Sequence, residues 1–142
     1  MKFEEDIRWK QRFQNFSRAF TLLNEALDGK DIEKYSGLEK EGIIQRFEYT
    51  FELGWKTFKD YLNYSGVEID EITPRKVIKE CATRGIFAGA NIDPKIYMDM
   101  MLERTALFHT YDLEGVNQVV LRIKNIYLKE LKAQYHFLKK EE

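Results

Sequence analysis

The sequence predicts an all-α fold, an antiparallel bundle of three long helices and two shorter ones. Three observations carry this. Apolar residues recur at intervals of three and four, no segment sustains the alternation of a strand, and neither of the two prolines lies inside a long periodic segment.

In the first segment Phe13, Phe16, Phe20, Leu23 and Leu27 keep the helical interval, and Asp28-Gly29 ends it, glycine being able to take the left-handed position past a helix C-terminus. DIEKYSG then reads as a loop or short turn. The second helix is expected from about Leu38 to Tyr64, with Ile44, Phe47, Phe51, Gly54, Trp55, Phe58 and Leu62 facing inward and Ser65-Gly66 as its stop. Thr73-Pro74 is an N-cap followed by proline at the first helical position, opening a short helix through Thr83 that Arg84-Gly85 closes. Asp93-Pro94 repeats that start and opens a helix through Met98, Met101 and Leu102 towards Phe108. Asp112 is placed to cap the last helix, whose stripe is Val116, Val119 or Val120, Ile123, Tyr127 and Leu131.

The chain's 142 residues fit one domain, 1–142, large enough to bury a core unaided. With 44% hydrophobic and 14% aromatic residues it is not a disordered chain. Its 23 basic and 24 acidic residues lack the strongly basic field of a general nucleic-acid-coating protein. Cys81 is the one cysteine, which excludes a disulfide framework within the chain and suits a reducing compartment. The charged N-terminus has no apolar signal region, and no stretch approaches the roughly 20 apolar residues of a membrane span. A soluble, cytoplasmic protein is expected.

No phosphate-cradling glycine loop, GxSxG or HExxH occurs. Gly54, inside a helix, is read as allowing close approach of a neighbouring helix, and GIFAGA as a loop whose glycines serve a turn. Glu48 and Glu52 stand one helical turn apart on one face. Without histidines beside them they read as a solvated face rather than a metal site, so no metal or cofactor is expected.

One polar stretch interrupts the apolar pattern. ERTALFHTYD, residues 103–112, joins two helical segments and carries Arg104, His109 and Tyr111. Five positions on a continuous helix lie roughly 140° apart, so Arg104 and His109 meet only if the helix ends near Phe108 and the chain folds back. The three side chains then offer a fixed cation, a group titrating near neutrality and a phenol. That set suits metal-free RNA cleavage, in which the 2′-hydroxyl is the nucleophile, His109 moves a proton and Arg104 braces the phosphate. The structural alternative pairs Arg104 with Glu103 or Asp112 and uses His109 to cap a helix end.

RTALFHTY fits the R-x4-H-x-Y pattern of the HEPN superfamily, and three ordered blocks extend the likeness. IIQRFEYTFELGWKTFKDYL, TPRKVIKECATRGIF and YMDMMLERTALFHTYD each resemble parts of the nucleotidyltransferase substrate-binding proteins, HEPN members that accompany a minimal nucleotidyltransferase. The resemblance implies an up-and-down four-helix bundle with an extra short helix, and a homodimer that brings two motifs near each other. It implies a nucleotidyltransferase partner encoded nearby, and in related toxin–antitoxin pairs a metal-independent ribonuclease silenced by transfer of AMP to the motif tyrosine, here Tyr111. Arg104 and His109 would be the catalytic pair of such a ribonuclease, with RNA as its substrate. Thr105 stands where the family commonly has Asn, and Phe108 where a small polar residue is frequent; Thr105 and Asp112 are the supporting positions. The implied role is a docking subunit for the nucleotidyltransferase, with the ribonuclease as the alternative.

Overall fold

The computed structural model describes residues 2–107 and 112–142, and among these all regular structure is helical. The elements are α1 (Lys2–Leu27), a single 3-10 turn (Ile32–Lys34), α2 (Gly37–Tyr64), α3 (Pro74–Thr83), α4 (Ile86–Ala90), α5 (Pro94–Ala106), α6 (Leu113–Arg122), a π-helical turn (Ile123–Tyr127) and α7 (Leu128–Glu141).

The starts and stops follow local chemistry. Ser36 and Glu39 form a reciprocal capping box at the head of α2, with Ser36 N donating to Glu39 Oε1 at 2.9 Å and Glu39 N to Ser36 Oγ at 3.1 Å. The hydroxyl of Thr73 accepts from Lys76 N at 3.2 Å, and the carboxylates of Asp93 and Asp112 accept from Lys95 N and Gly115 N at 2.9 and 2.6 Å. The caps at Thr73, Asp93 and Asp112 sit where the sequence places them. Gly29, Gly66 and Gly85, at the expected stops, take φ of 69°, 90° and 79°.

Three expectations need correction. GIFAGA is not a loop. Gly85 closes α3, but Phe87 is fully buried and draws the chain into the short helix α4, which Asn91 ends at φ 60°. In α2 the inward residue is Ile43, with Ile44 half-buried. The final helix is not uniform, because the backbone from Ile123 to Tyr127 takes i→i+5 hydrogen bonding, with Leu128 N donating to Ile123 O.

Contacts fix the directions of the rods. Arg12 reaches Asp60 and Arg46 reaches the carbonyl of Leu22, so α1 and α2 run antiparallel. Glu52 meets Arg104 and Phe58 packs on Tyr97, so α2 and α5 run antiparallel. Phe47 stacks on Tyr127 and Tyr61 donates to Glu141, so the π turn and α7 that continues it run parallel to α2. Their shared core is aromatic. Trp9, Phe13, Phe16, Phe47, Phe51, Phe58, Phe87 and Tyr97 are all at most 2% exposed, and each burial is worth roughly 1.5–3 kcal/mol. Cys81 is buried among them, and burial pushes its thiol pKa up, away from the thiolate.

At the centre lies one polar knot. The Tyr97 hydroxyl donates to Gln134 Oε1 at 2.6 Å, and Gln134 Nε2 donates to the carbonyl of Gly54 at 2.8 Å. A Cβ on Gly54 would stand 2.9 Å from the Tyr97 hydroxyl, 3.0 Å from Gln134 Oε1 and 3.2 Å from Phe16 Cε1. Only glycine lets α5 and α7 close on α2 at that level.

Candidate functional site

The C-terminal turn of α5 carries Arg104 towards the middle of α2. Its guanidinium pairs with the Glu52 carboxylate and lies 5.7 Å from the centre of the Phe51 ring. The second oxygen of Glu52 holds Lys56 at 3.2 Å, and the Lys56 ammonium lies 5.9 Å over the Trp55 ring. The pair is part-exposed, each side chain keeping 31% of its accessible surface. Glu48, Tyr49, Glu52 and Arg104 line a solvent-open cavity of about 340 Å³.

Glu48 differs from Glu52. It has no hydrogen-bond or ion-pair partner among the described residues, and its partial burial raises its carboxyl pKa, an effect the Arg104 charge partly offsets. The Glu48–Glu52 face is therefore not simply solvated. One carboxylate holds two cations and the other waits half-buried beside them.

Glu103, immediately before Arg104, anchors the end of α5. Arg122 donates to both Glu103 oxygens, at 2.5 and 3.0 Å, and the Tyr127 hydroxyl donates to Oε1 at 2.8 Å. Arg122 and Tyr127 are five residues apart, a spacing that sends side chains to different faces of a regular α-helix. The π turn brings both to one carboxylate. The bonds to Glu103 hold the Arg122 pKa up, and burial together with the bond to Glu103 does the same for the Tyr127 phenol.

The sequence-predicted site residues are placed as follows. Arg104 pairs with neither Glu103 nor Asp112: Glu103 is taken by Arg122, Asp112 caps α6, and the partner is Glu52, a residue 52 positions away. Thr105 turns back to its own helix, donating to the Met101 carbonyl at 3.2 Å, which removes it from direct support of the Arg104 guanidinium. His109 and Tyr111 lie outside the described residues. Glu48, Glu52, Phe51 and Tyr49 are the additions. Their spacing on one helix face was readable, but nothing local indicated which cation would reach them. Among the described residues no cluster of three or more His, Cys, Asp or Glu side chains is placed to hold a metal ion, and no helix is long and apolar enough to cross a membrane.

Comparison with known proteins adds two findings. A family model described as "nucleotidyltransferase substrate binding protein like" matches residues 11–140, spanning α1 to α7. The fold is similar to the crystal structure of a protein from Thermus thermophilus, with a TM-score of 0.72 at 27% identity, covering 87% of this chain and 98% of that one. No curated protein matches the chain.

Proposed function

The chain belongs to the nucleotidyltransferase substrate binding protein-like family, and from that premise we propose that it is the helical subunit of a two-component system. In this reading a single up-and-down four-helix domain, paired as a homodimer in the cytoplasm, docks a separate minimal nucleotidyltransferase. It presents Tyr111 as an acceptor of AMP. The phenolic oxygen attacks the α-phosphorus of a nucleoside triphosphate, the bond to pyrophosphate breaks, and the phenolic proton passes to a base or to water.

The match over nearly the whole chain is the observation that carries the reading. Co-expression with an adjacent nucleotidyltransferase tests the proposal: the two chains should co-purify, and intact mass should show one added AMP that Tyr111→Phe removes. Separate elution of the two chains would refute docking, and an unmodified mass would refute the acceptor role.

The second reading is a metal-independent ribonuclease toxin using Arg104 and His109, favoured by the position of Arg104 on an open cavity just before the junction. It predicts growth arrest on expression without the partner and relief by His109→Ala. A partner subunit that only docks predicts normal growth.

A further inference from the structure

Another cavity opens at the opposite end of α5. Asn91, Ile92, Asp93 and Ile96, where α4 ends and α5 begins, line about 290 Å³ of solvent-open space together with Lys129 and Glu130 of α7. Along α5 the step from Asp93 to Arg104 is roughly 16 Å, so this cavity is separate from the one around Arg104.

One of its walls is a buried acid. Glu130 is 3% exposed; its Oε1 accepts from Asp93 N over a long 3.4 Å, and Oε2 has no hydrogen-bond partner among the described residues. A glutamate carboxylate turns readily about its last torsion, so either oxygen can be offered to the cavity. Burial raises the carboxyl pKa; the bond from Asp93 N and the Lys129 charge partly offset this, and the Asp93 charge adds to it. A glutamine would fill the same space without that cost. A carboxylate is what a cationic ligand needs.

The remaining walls select the cation. Asp93 caps α5 through Oδ1, which accepts from Lys95 N at 2.9 Å, and its Oδ2 has no bond among the described residues. The exposed Asn91 adds an amide oxygen, while Ile92 and Ile96 add apolar surface. Two carboxylates stand against one cation, Lys129, which forms no ion pair among the described residues, so the cavity is net negative. A hard metal ion gains nothing from the apolar wall, and among the described residues no three acidic or histidine side chains converge on one. A guanidinium presents its donors as a planar fork for both oxygens of a carboxylate, whereas Oε1 is already engaged. An ammonium is compact and has three N–H donors, one each for Glu130, Asp93 and Asn91.

We infer that this cavity binds a small primary alkylammonium ion, with Glu130, Asp93 and Asn91 accepting its N–H donors and Ile92 and Ile96 packing on its carbon chain. The inference goes beyond partner docking and uses neither Arg104 nor Tyr111.

Thermal melts of the isolated full chain in amine-free phosphate buffer test it, with butylammonium chloride as the probe. The probe should raise Tm saturably, by about 3–5 °C at roughly ten times its dissociation constant. Tetramethylammonium chloride at the same concentration, equal in charge but without an N–H donor, should not. Glu130→Gln should fold with at least the wild-type Tm and bind butylammonium at least about ten-fold more weakly, since a neutral amide makes no charge-assisted bond. If that variant does not melt cooperatively, Asp93→Asn, which keeps the cap, carries the same expectation of weakened binding. The absence of a saturable rise, an equal rise with tetramethylammonium, or undiminished binding by the variant overturns the inference. A larger response to calcium chloride than to butylammonium assigns the cavity to a metal ion and overturns it as well. Because the melts need no second protein, their failure is distinct from failure of the two chains to co-purify.

Discussion

Two glycines in one helix should respond oppositely to the same substitution. Gly54 and Gly42 both lie within α2, where replacement by alanine gains about 1 kcal/mol from helix propensity. At Gly42 nothing stands within 4 Å of the added Cβ, so Gly42→Ala should realise most of that gain. At Gly54 the methyl would press on the Tyr97 hydroxyl at 2.9 Å, Gln134 Oε1 at 3.0 Å and Phe16 Cε1 at 3.2 Å. Tyr97, Gln134 and Phe16 are fully buried, so none can swing into solvent. Overpacking a closed core costs about 1–3 kcal/mol, and stretching the Tyr97–Gln134–Gly54 hydrogen bonds adds about 1–3 kcal/mol. After subtracting the propensity gain, Gly54→Ala should lose about 1–5 kcal/mol. For a domain of this size that corresponds to a fall in Tm of roughly 3–20 °C, against a rise of a few degrees for Gly42→Ala. Paired thermal melts by circular dichroism check both. If Gly54→Ala melts at or above the wild-type temperature, the close approach of α5 and α7 on α2 is wrong.

Glu130 is buried, and burial raises its carboxyl pKa. Its Oε1 accepts from Asp93 N at 3.4 Å, while Oε2 has no hydrogen-bond partner among the described residues. Its charged form therefore opposes folding at neutral pH, so Glu130→Gln should raise Tm at pH 7 by more than at pH 4, where the folded wild type already binds the proton; melts at the two pH values compare them. The Cys81 thiol and the Tyr97 and Tyr127 phenols are shifted upward chiefly by burial, and Tyr61 is pushed up to about 12. The unfolded chain thus releases these protons first. Stability should hold up to about pH 8 and fall as pH rises through the ordinary values of 9.0 for the thiol and 10.0 for the phenols, as denaturant titrations in alkaline buffer would show. Tyr127→Phe removes one bond to Glu103 and should cost about 1 kcal/mol in urea unfolding, with the helical spectrum unchanged.

Much of the fold was legible because its signals are local. A cap lies within three residues of the amide it satisfies, and an inward stripe recurs every three or four positions, so Ser65-Gly66, Thr73-Pro74, Asp93-Pro94 and Asp112 marked boundaries that the structure keeps. The departures have non-local causes. GIFAGA became helical because Phe87 packs against Phe58 and Tyr97, neither of them a sequence neighbour. The π turn has no composition signature. What it accomplishes, aiming Arg122 and Tyr127 at one carboxylate, is visible only when Glu103 is opposite them. The site divides in the same way. Arg104 stood out through its motif, whereas its pairing with Glu52 depends on α2 and α5 being neighbours in space.

That pairing also decides what a substitution at Arg104 can reveal. If ERTALFHTYD were only a helix junction, with Arg104 as a buried structural group, truncation would cost about 1–3 kcal/mol. A part-exposed ion pair predicts about 0–1 kcal/mol, because water screens both charges and Glu52 keeps Lys56. Arg104→Ala should accordingly leave the urea midpoint almost unchanged. The anchor of the same turn lies one residue earlier. Glu103 receives Arg122 through two hydrogen bonds and Tyr127 through a third, with its side chain only 9% exposed. Glu103→Ala should therefore destabilise by more than Arg104→Ala, since it leaves a guanidinium and a buried phenol without their acceptor. Urea unfolding of the two variants side by side measures the difference. If Arg104→Ala is the more damaging of the pair, Arg104 is a structural residue and the cavity it lines loses its claim to be a site.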